Sequence, residues 1–148
     1  MKTDHSMSWQ EYETQIFEEF CKKYPEHELL FNQKLVGRYS KVPRQIDILV
    51  RSRMAGVDLV GVFDCKCFSE KVDVKVIDSM LGFIDDIGAH FGGVVTTKGF
   101  TEGAINRANP GRIDLRTIPF TSPETVVDHF VPSLDFSDPR NSGYLLQI

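Results

Sequence analysis

An acidic and a basic side chain stand two residues apart at the end of an apolar run, Leu59–Phe68 (LVGVFDCKCF). Successive side chains in a β-strand point to opposite faces, so Asp64 and Lys66 share one face and Cys65 points to the other. A second carboxylate, Asp47, lies in the preceding apolar run, QIDILV. Antiparallel pairing of the two strands brings it near Asp64 if the register is suitable. The two runs therefore predict two carboxylates and an ammonium at one strand end.

This predicted cluster has the donor set of a hard-metal site. Two carboxylates and the backbone carbonyl of Cys65 are oxygen ligands, which suit Mg²⁺ or Mn²⁺. A metal in that place lowers the pKa of a bound water and polarises a phosphoryl oxygen. Lys66 beside it can hold the attacking water and stabilise the negative charge that builds on a phosphate. The chemistry that these residue types predict is phosphodiester hydrolysis.

Glu13 is a further candidate metal ligand. It lies one helical turn from both Trp9 and Phe17, in the apolar stripe of the first predicted helix. An unpaired buried carboxylate is unfavourable and tends to take up a proton, so Glu13 needs a partner such as a cation, a metal or amide donors. We expect it to face the same sheet and to bind the metal directly or through water.

The local patterns predict the elements that position these residues. Ser8-Trp9-Gln10-Glu11 is a capping box, and the helix that it starts should run to about Lys23. Its core-facing stripe is Trp9, Tyr12, Ile16, Phe17 and Phe20. Three β-type runs follow, LLFNQKLVGRY, RQIDILVRS and DLVGVFDCKCF, and they predict a meander.

Downstream of the meander, helices and strands alternate. The pattern predicts a helix capped by Asp73, the short strand GGVVTT, a helix capped by Thr101 and the strand RIDLRTI. The order αβββαβαβ predicts an α/β fold, with a mixed central sheet flanked by helices on both faces. Residues 8–118 form this domain in the prediction. Residues 119–148, with four of the seven prolines, form a C-terminal extension that starts a brief helix at Ser122-Pro123-Glu124.

Length and composition are those of one globular domain in a reducing compartment. The chain has 148 residues, of which 41% are hydrophobic and 26% charged. No run approaches the ~18 apolar residues of a membrane span, and the start lacks a signal-peptide pattern. Cys65 and Cys67 are too close in sequence to pair comfortably. We therefore expect a soluble, cytoplasmic protein.

The charge distribution is compatible with binding to a polyanion, although the net charge of −4 excludes a non-specific polycation. The basic residues fall in short clusters that are predicted to flank a phosphate track. The candidates are Lys34, Arg38, Lys41, Arg44, Lys71, Lys75 and Lys98. The alternative interpretation is a set of solvated loop charges.

Taken together, Asp47, Asp64-Cys65-Lys66 and Glu13 on the preceding helix resemble the PD-(D/E)XK nuclease superfamily, whose shared core is αβββαβ. The block VVTTKGFTEGA resembles the Mrr-like restriction endonuclease group, in which a strand ending in threonines or serines precedes a GFT-x-GA helix start. The resemblance covers roughly Trp9 to Ile118. Ile46 replaces the proline of the superfamily's name, and Asp64 stands where Mrr-like members usually carry Glu.

The resemblance implies a Mg²⁺- or Mn²⁺-dependent endodeoxyribonuclease of the Mrr-like restriction or defence type. Asp47, Asp64 and Lys66 are then the central catalytic residues, with Glu13 in support. DNA is the expected partner, and its sequence would be read by loops, by a homodimer or by a partner subunit. Two alternatives stay open: an inactive nuclease-like module that binds DNA or protein, and a structure-specific junction resolvase.

Overall fold

The helices and strands follow the order that the sequence predicts. A computed structural model describes residues 8–66, 69–110 and 113–118. Within them the elements are α1 (Trp9–Lys23), β1 (Glu28–Val36), β2 (Pro43–Met54), β3 (Val57–Lys66), α2 (Val74–Ile87), β4 (Phe91–Thr96), α3 (Glu102–Ala108) and β5 (Ile113–Thr117). The predicted extension at 119–148, including the brief helix at Ser122, and the predicted end of the third strand at Cys67 and Phe68 lie outside the described residues.

The strands form one mixed sheet in the order β1-β2-β3-β4-β5. β1, β2 and β3 pair antiparallel as a meander, and β3, β4 and β5 pair parallel. Parallel neighbours need a crossover connection, which α2 and α3 supply. The predicted α/β fold with a mixed sheet is therefore confirmed.

The predicted helix caps are present. The Ser8 hydroxyl accepts from the Glu11 N–H, and the Glu11 carboxylate accepts from the Ser8 N–H. Asp73 accepts from two N–H groups at the start of α2, and Thr101 accepts from the Ala104 N–H at the start of α3. These local hydrogen bonds satisfy amides that the first helical turn leaves free, so each helix begins where its sequence specifies.

Two apolar cores lie on opposite faces of the sheet. The α1 core contains Tyr12, Ile16, Phe20, Ile48, Val50, Phe63, Cys65 and Val95. The core under α2 and α3 contains Ile46, Leu49, Val62, Ile77, Met80, Val94 and Ala104. The helices therefore cover both faces, as predicted.

Trp9 does not belong to the buried stripe of α1, and its predicted core position is wrong. Its side chain is 53% exposed, whereas Tyr12 is fully buried and its hydroxyl donates to the Ile118 carbonyl at 2.8 Å. Trp9 is the first residue of α1, and the described core extends along the helix only as far as Tyr12. Helical periodicity identifies the face of a helix but not how far its packing partners extend along it.

Candidate active site

A break in strand alternation places Asp47. Ile46 packs in the α2/α3 core and Ile48 in the α1 core, although regular alternation would put both on one face. On the neighbouring strand, Asn32 adopts a positive φ of 56° between the paired positions Phe31↔Ile48 and Gln33↔Ile46. β2 is thus rotated locally at Asp47, and its pairing with β3 ends at the next residue, Ile48.

The carboxylate of Asp47 bridges the gap between the two strands. Its Oδ2 accepts from the Cys65 N–H at 2.9 Å, and its side chain is hydrogen-bonded to that of Asp64. On the same strand end, the Lys66 ammonium contacts Asp64 Oδ2 at 2.9 Å, and both side chains are about one-third exposed. The structure therefore brings Asp47, Asp64 and Lys66 together.

The charges in this cluster are unbalanced. Burial raises the pKa of Asp47 to about 8, and the hydrogen bond and charge of Asp64 contribute to the increase, which the Cys65 N–H opposes. Burial also raises the pKa of Glu13, with a smaller contribution from Asp64 and an opposing one from Lys66. One ammonium does not neutralise three neighbouring carboxyl groups, so the site favours a further positive charge, either a proton or a cation.

The oxygen atoms of this cluster are suitable ligands for a hard divalent cation. Asp47 and Asp64 supply carboxylate oxygens, and the Cys65 carbonyl is the adjacent backbone donor. Burial raises the pKa of the Cys65 thiol well above its usual range, and this side chain packs in the α1 core, so its sulfur is not a ligand. In the described part of the chain no group of three or more His, Cys, Asp or Glu side chains could hold a metal ion. Glu13 is close enough to Asp64 and Lys66 for their charges to affect its pKa. It does not, however, complete a site of three carboxylates with Asp47 and Asp64.

The cluster opens into a cleft of about 450 Å³ between the sheet and α2. Arg44 and Asp47 of β2, Asp64 and Lys66 of β3, and Lys75 and Phe83 of α2 line it. The Arg44 guanidinium lies 4.9 Å from the centre of the Phe83 ring. An anionic group that enters the cleft would meet Lys66, Lys75 and Arg44 together.

The other basic residues of the predicted phosphate track do not line the cleft. Lys34, Lys41, Lys71 and Lys98 are exposed outside it. Arg38 is bound to α2, because its guanidinium donates to the Asp85 carbonyl at 2.7 Å and to the Asp85 carboxylate at 3.0 Å. Of the predicted DNA-binding residues, the structure places Arg44 and Lys75 in the cleft.

Two buried polar groups lie near the cleft: Asp86, which the sequence did not single out, and Thr96, for which binding of a phosphate and the end of a strand are both open from the sequence. Asp86 on α2 is 6% exposed and forms an ion pair with Arg44 at 2.6 Å. Thr96 pairs with Lys66 across β3 and β4, and its buried hydroxyl has no hydrogen-bond partner in the residues described. The sequence signal that could have identified Asp86 is an acidic residue on the apolar side of the predicted second helix. No sequence pattern distinguishes Thr96 from a residue that ends a strand.

The fold and the cluster of Asp47, Asp64 and Lys66 agree with a match to a known protein family. A family model, Mrr_cat, described as a restriction endonuclease, matches residues 5–119. The chain belongs to this restriction endonuclease family. The match supports a nuclease of the restriction type, which is the class that the sequence predicts. No curated protein matches the chain at a significant level.

Solved structures share the fold at low sequence identity. A protein of unknown function, AF1548, aligns with a TM-score of 0.60 and 17% identity over 79% of this chain and 65% of its own. The restriction endonuclease MspJI, solved with a 27-mer oligonucleotide, aligns with a TM-score of 0.52 and 15% identity over 92% of this chain and 31% of its own. VC1899 from Vibrio cholerae aligns with a TM-score of 0.51 and 11% identity over 93% and 32%. The chain spans less than two thirds of the length of each of these proteins.

None of the helices in the described ranges is long and apolar enough to cross a membrane.

Proposed function

We propose that this chain is a Mg²⁺-dependent endodeoxyribonuclease that hydrolyses phosphodiester bonds at the cleft between β2, β3 and α2. The observation that carries the proposal is the convergence of Asp47, Asp64 and Lys66 on one cleft wall. These residue types suit metal-assisted phosphodiester hydrolysis. They belong to two neighbouring strands that the sheet brings together, and the family match supports the same class of reaction.

Asp47, Asp64 and the Cys65 carbonyl would hold the cation. When bound, it would lower the pKa of a water molecule and polarise a phosphoryl oxygen. Two close carboxyl groups, one with a pKa raised to about 8, are poorly compatible in the absence of such a charge. Cation binding would displace the proton that Asp47 otherwise retains, so the site is expected to bind metal more tightly as the pH rises toward that pKa.

Lys66 supplies the positive charge that remains on the protein. Its ammonium is 2.9 Å from Asp64 and lines the cleft. A group in this position can donate hydrogen bonds to an attacking water and to the phosphate oxygens, where negative charge increases in the transition state. Its role is therefore expected to appear in the rate of cleavage rather than in metal affinity.

Glu13 supports the site from α1. It is half-buried and electrostatically coupled to Asp64 and Lys66, which suits an indirect role through water. We expect Glu13→Gln to reduce the thermal shift that Mn²⁺ produces, and to reduce cleavage less than removal of Asp47 does. Melting curves with EDTA and with Mn²⁺ measure this, and equal metal shifts in parent and variant would remove Glu13 from the site.

DNA is the proposed substrate, and Lys75 and Arg44 are the residues best placed to meet its backbone. Contacts to phosphates carry no sequence information, so recognition of a target would depend on loops, a second copy of the chain or a partner subunit. A junction resolvase would use the same cleft. Comparing cleavage of duplex DNA and of a four-way junction separates a restriction-type nuclease from a resolvase.

Supercoiled plasmid, incubated with the purified protein and Mg²⁺ and with excess EDTA, tests the proposal. Nicked and linear products should form with Mg²⁺ and disappear with EDTA. Linear duplex and a four-way junction of the same composition, assayed in parallel, show whether the enzyme prefers a structure. No cleavage of any substrate in Mg²⁺ or Mn²⁺ would contradict the proposal and leave an inactive nuclease-like module.

A further inference from the structure

The turn between β1 and β2 exposes an unusual combination of side chains. We call residues 36–43 the β1–β2 tip. Val36 and Tyr39 are each 65% exposed and Val42 is 50% exposed. Lys41 is also exposed, and the Arg38 guanidinium lies 4.7 Å from the centre of the Tyr39 ring. The tip thus presents three apolar side chains interleaved with cations.

The tip is fixed against α2 by hydrogen bonds that centre on the buried carboxylate of Asp86. Asp86 accepts hydrogen bonds from the Tyr39 N–H at 3.0 Å, the Ser40 N–H at 2.9 Å and the Ser40 hydroxyl at 2.6 Å. The Arg38 N–H donates to the Asp86 carbonyl at 2.7 Å. A Cβ at Gly37 would clash with the Asp86 carboxylate, so only glycine permits this approach. The exposed apolar side chains therefore stand on a fixed backbone.

The tip stands at the rim of the candidate active site. Arg44, the residue of β2 that directly follows the tip, lines the cleft and forms an ion pair with the same Asp86. α2 carries Asp86 near its end, while Lys75 and Phe83 of the same helix line the cleft. The tip and the cleft are therefore neighbours, joined through Arg44 and α2.

We propose that the β1–β2 tip is a preformed DNA-contacting element, which packs Val36, Tyr39 and Val42 against the sugars and base edges of a duplex whose backbone lies in the cleft. This inference rests on the proposed nuclease function and extends it to a surface beyond the catalytic cluster. Apolar side chains that enter a groove or wedge between bases are a known mode of DNA contact. A fixed backbone lowers the entropy lost on binding.

Charge selects DNA over a second copy of the chain as the occupant. In a symmetric dimer the same patch faces itself, so Arg38 and Lys41 of one tip would face those of the other and repel them. Lys34, exposed just before the tip, adds to this repulsion. A polyanion meets the same cations favourably.

The test compares the DNA affinities of two variants at and beside the tip, with Ca²⁺ in place of Mg²⁺ to suppress cleavage. The triple variant Val36→Ser, Tyr39→Ser, Val42→Ser should bind a duplex roughly tenfold more weakly, with an unchanged slope of log affinity against log salt, because apolar side chains release no counterions. The double variant Lys34→Ala, Lys41→Ala should instead lower that slope, by about 0.9 for each phosphate that is no longer neutralised.

The other hairpin of the meander provides the matched control. Met54 and Val57, which flank the β2–β3 turn, are 66% and 57% exposed. Met54→Ser with Val57→Ser removes two exposed apolar side chains at the opposite end of β2 from the tip and should leave affinity unchanged. Melting temperatures of all variants should match that of the parent, because none of the substituted side chains is buried.

Three outcomes would overturn the proposal. In the first, the tip triple variant binds DNA as tightly as the control variant. In the second, the triple variant binds more weakly but also has a lower salt slope. In the third, sedimentation shows a dimer of the parent that the triple variant abolishes. If the parent cleaves DNA with Mg²⁺ and the triple variant retains full affinity, the tip assignment fails while the nuclease function stands. If the parent neither binds nor cleaves DNA, both fail.

Discussion

The two hairpins of the β-meander differ in what fixes them, although both expose large apolar side chains. The β1–β2 tip is hydrogen-bonded to Asp86 of α2 and lies beside the cleft. The β2–β3 turn, from Met54 to Val57, reverses the chain through Ala55 and Gly56, which have φ values of 51° and 81°. A Cβ at Gly56 would meet nothing within 4 Å. One hairpin is defined by a tertiary contact and the other by its own backbone.

The difference shows why exposure alone does not identify a functional surface. Single exposed apolar side chains are common on protein surfaces, and those at the β2–β3 turn lie beside Arg53 and Asp58, which pair with each other. At the β1–β2 tip, the same exposure coincides with a rigid backbone, cations and a cleft that contains the candidate catalytic cluster. The combination distinguishes the two ends of the sheet, and the following variants test it.

The largest expected difference in cleavage rate is between variants of two acidic residues of β3. Asp64 contacts Lys66 at the cleft, whereas Asp58 pairs with Arg53 at 3.5 Å near the β2–β3 turn, with both side chains highly exposed. Asp64→Asn should lower the rate of plasmid cleavage by roughly 100-fold or more, because it removes a carboxylate that is proposed to hold the metal at the reacting phosphate, and Asp58→Asn should leave the rate unchanged. Calorimetric titration with Mn²⁺ should show weaker binding by the Asp64 variant. Equal rates for the two variants would place the site elsewhere.

Asp86→Asn should lower the melting temperature at neutral pH. Hydrogen bonds from the Ser40 side chain and N–H, with those from Tyr39 and Arg44, hold the pKa of Asp86 well below its ordinary value of 3.8. A carboxyl whose pKa is depressed by folding stabilises the protein above the unfolded pKa, and that contribution is lost as the pH falls toward the folded value. The difference in melting temperature between parent and variant should therefore be constant above about pH 5 and should shrink on acidification.

Asp85→Asn is the control for this pH dependence, because its carboxylate is 69% exposed and contacts only Arg38 in the residues described. An exposed pair of this kind contributes little. A pH-independent difference for Asp86→Asn, or an equally large effect of Asp85→Asn, would contradict the role assigned to Asp86 in anchoring the tip.

Alanine at the two turn glycines should destabilise the protein for different reasons. Gly37→Ala forces a Cβ against Asp86 and Ser40 and should cost about 1–3 kcal/mol through overpacking. Gly56→Ala has free space but a positive φ, so it should cost about 1 kcal/mol. Urea denaturation measures both. In an Asp86→Ala background the cost of Gly37→Ala should decrease and that of Gly56→Ala should not; identical costs in both backgrounds would show that Asp86 does not constrain Gly37.

Thr96→Val should give the smallest effect, and in the opposite direction. The Thr96 side chain is fully buried and its hydroxyl has no partner within the described ranges. Replacing an unsatisfied buried hydroxyl by a methyl group of similar shape should stabilise the protein by about 1 kcal/mol. Because Thr96 is the strand neighbour of Lys66, cleavage should be measured on the same variant. A clear loss of stability would show that the hydroxyl has a partner in solution.

The features that depend on local sequence were predictable. Ser8, Asp73 and Thr101 cap their helices through hydrogen bonds to residues two or three positions away, and strand alternation correctly places Asp64 and Lys66 opposite Cys65. The proposed roles of these site residues remain predictions, because geometry brings them together without testing their chemistry.

The features that depend on distant contacts were not predictable. The rotation of β2 at Asp47 accompanies the positive φ of Asn32 on another strand. Asp86 reaches Tyr39 and Ser40 across more than forty positions of sequence. Arg38 and Arg44, expected as phosphate ligands, are in part used to fasten the tip to α2, and a charge cluster in a sequence does not reveal which of its members already have an acidic neighbour.

The rate of DNA cleavage by Lys66→Ala, measured in a single turnover with saturating enzyme and Mg²⁺, tests the central claim most directly. Lys66 is not among the proposed metal ligands and lies at a strand end, so the variant should keep the fold and bind Mn²⁺ as the parent does. Saturating enzyme offsets the loss of one phosphate contact. We expect its cleavage rate to fall by roughly 100-fold or more, because the variant lacks the positive charge beside the phosphate. Cleavage by Lys66→Ala at the rate of the parent would contradict the assignment of this cleft as the site of phosphodiester hydrolysis.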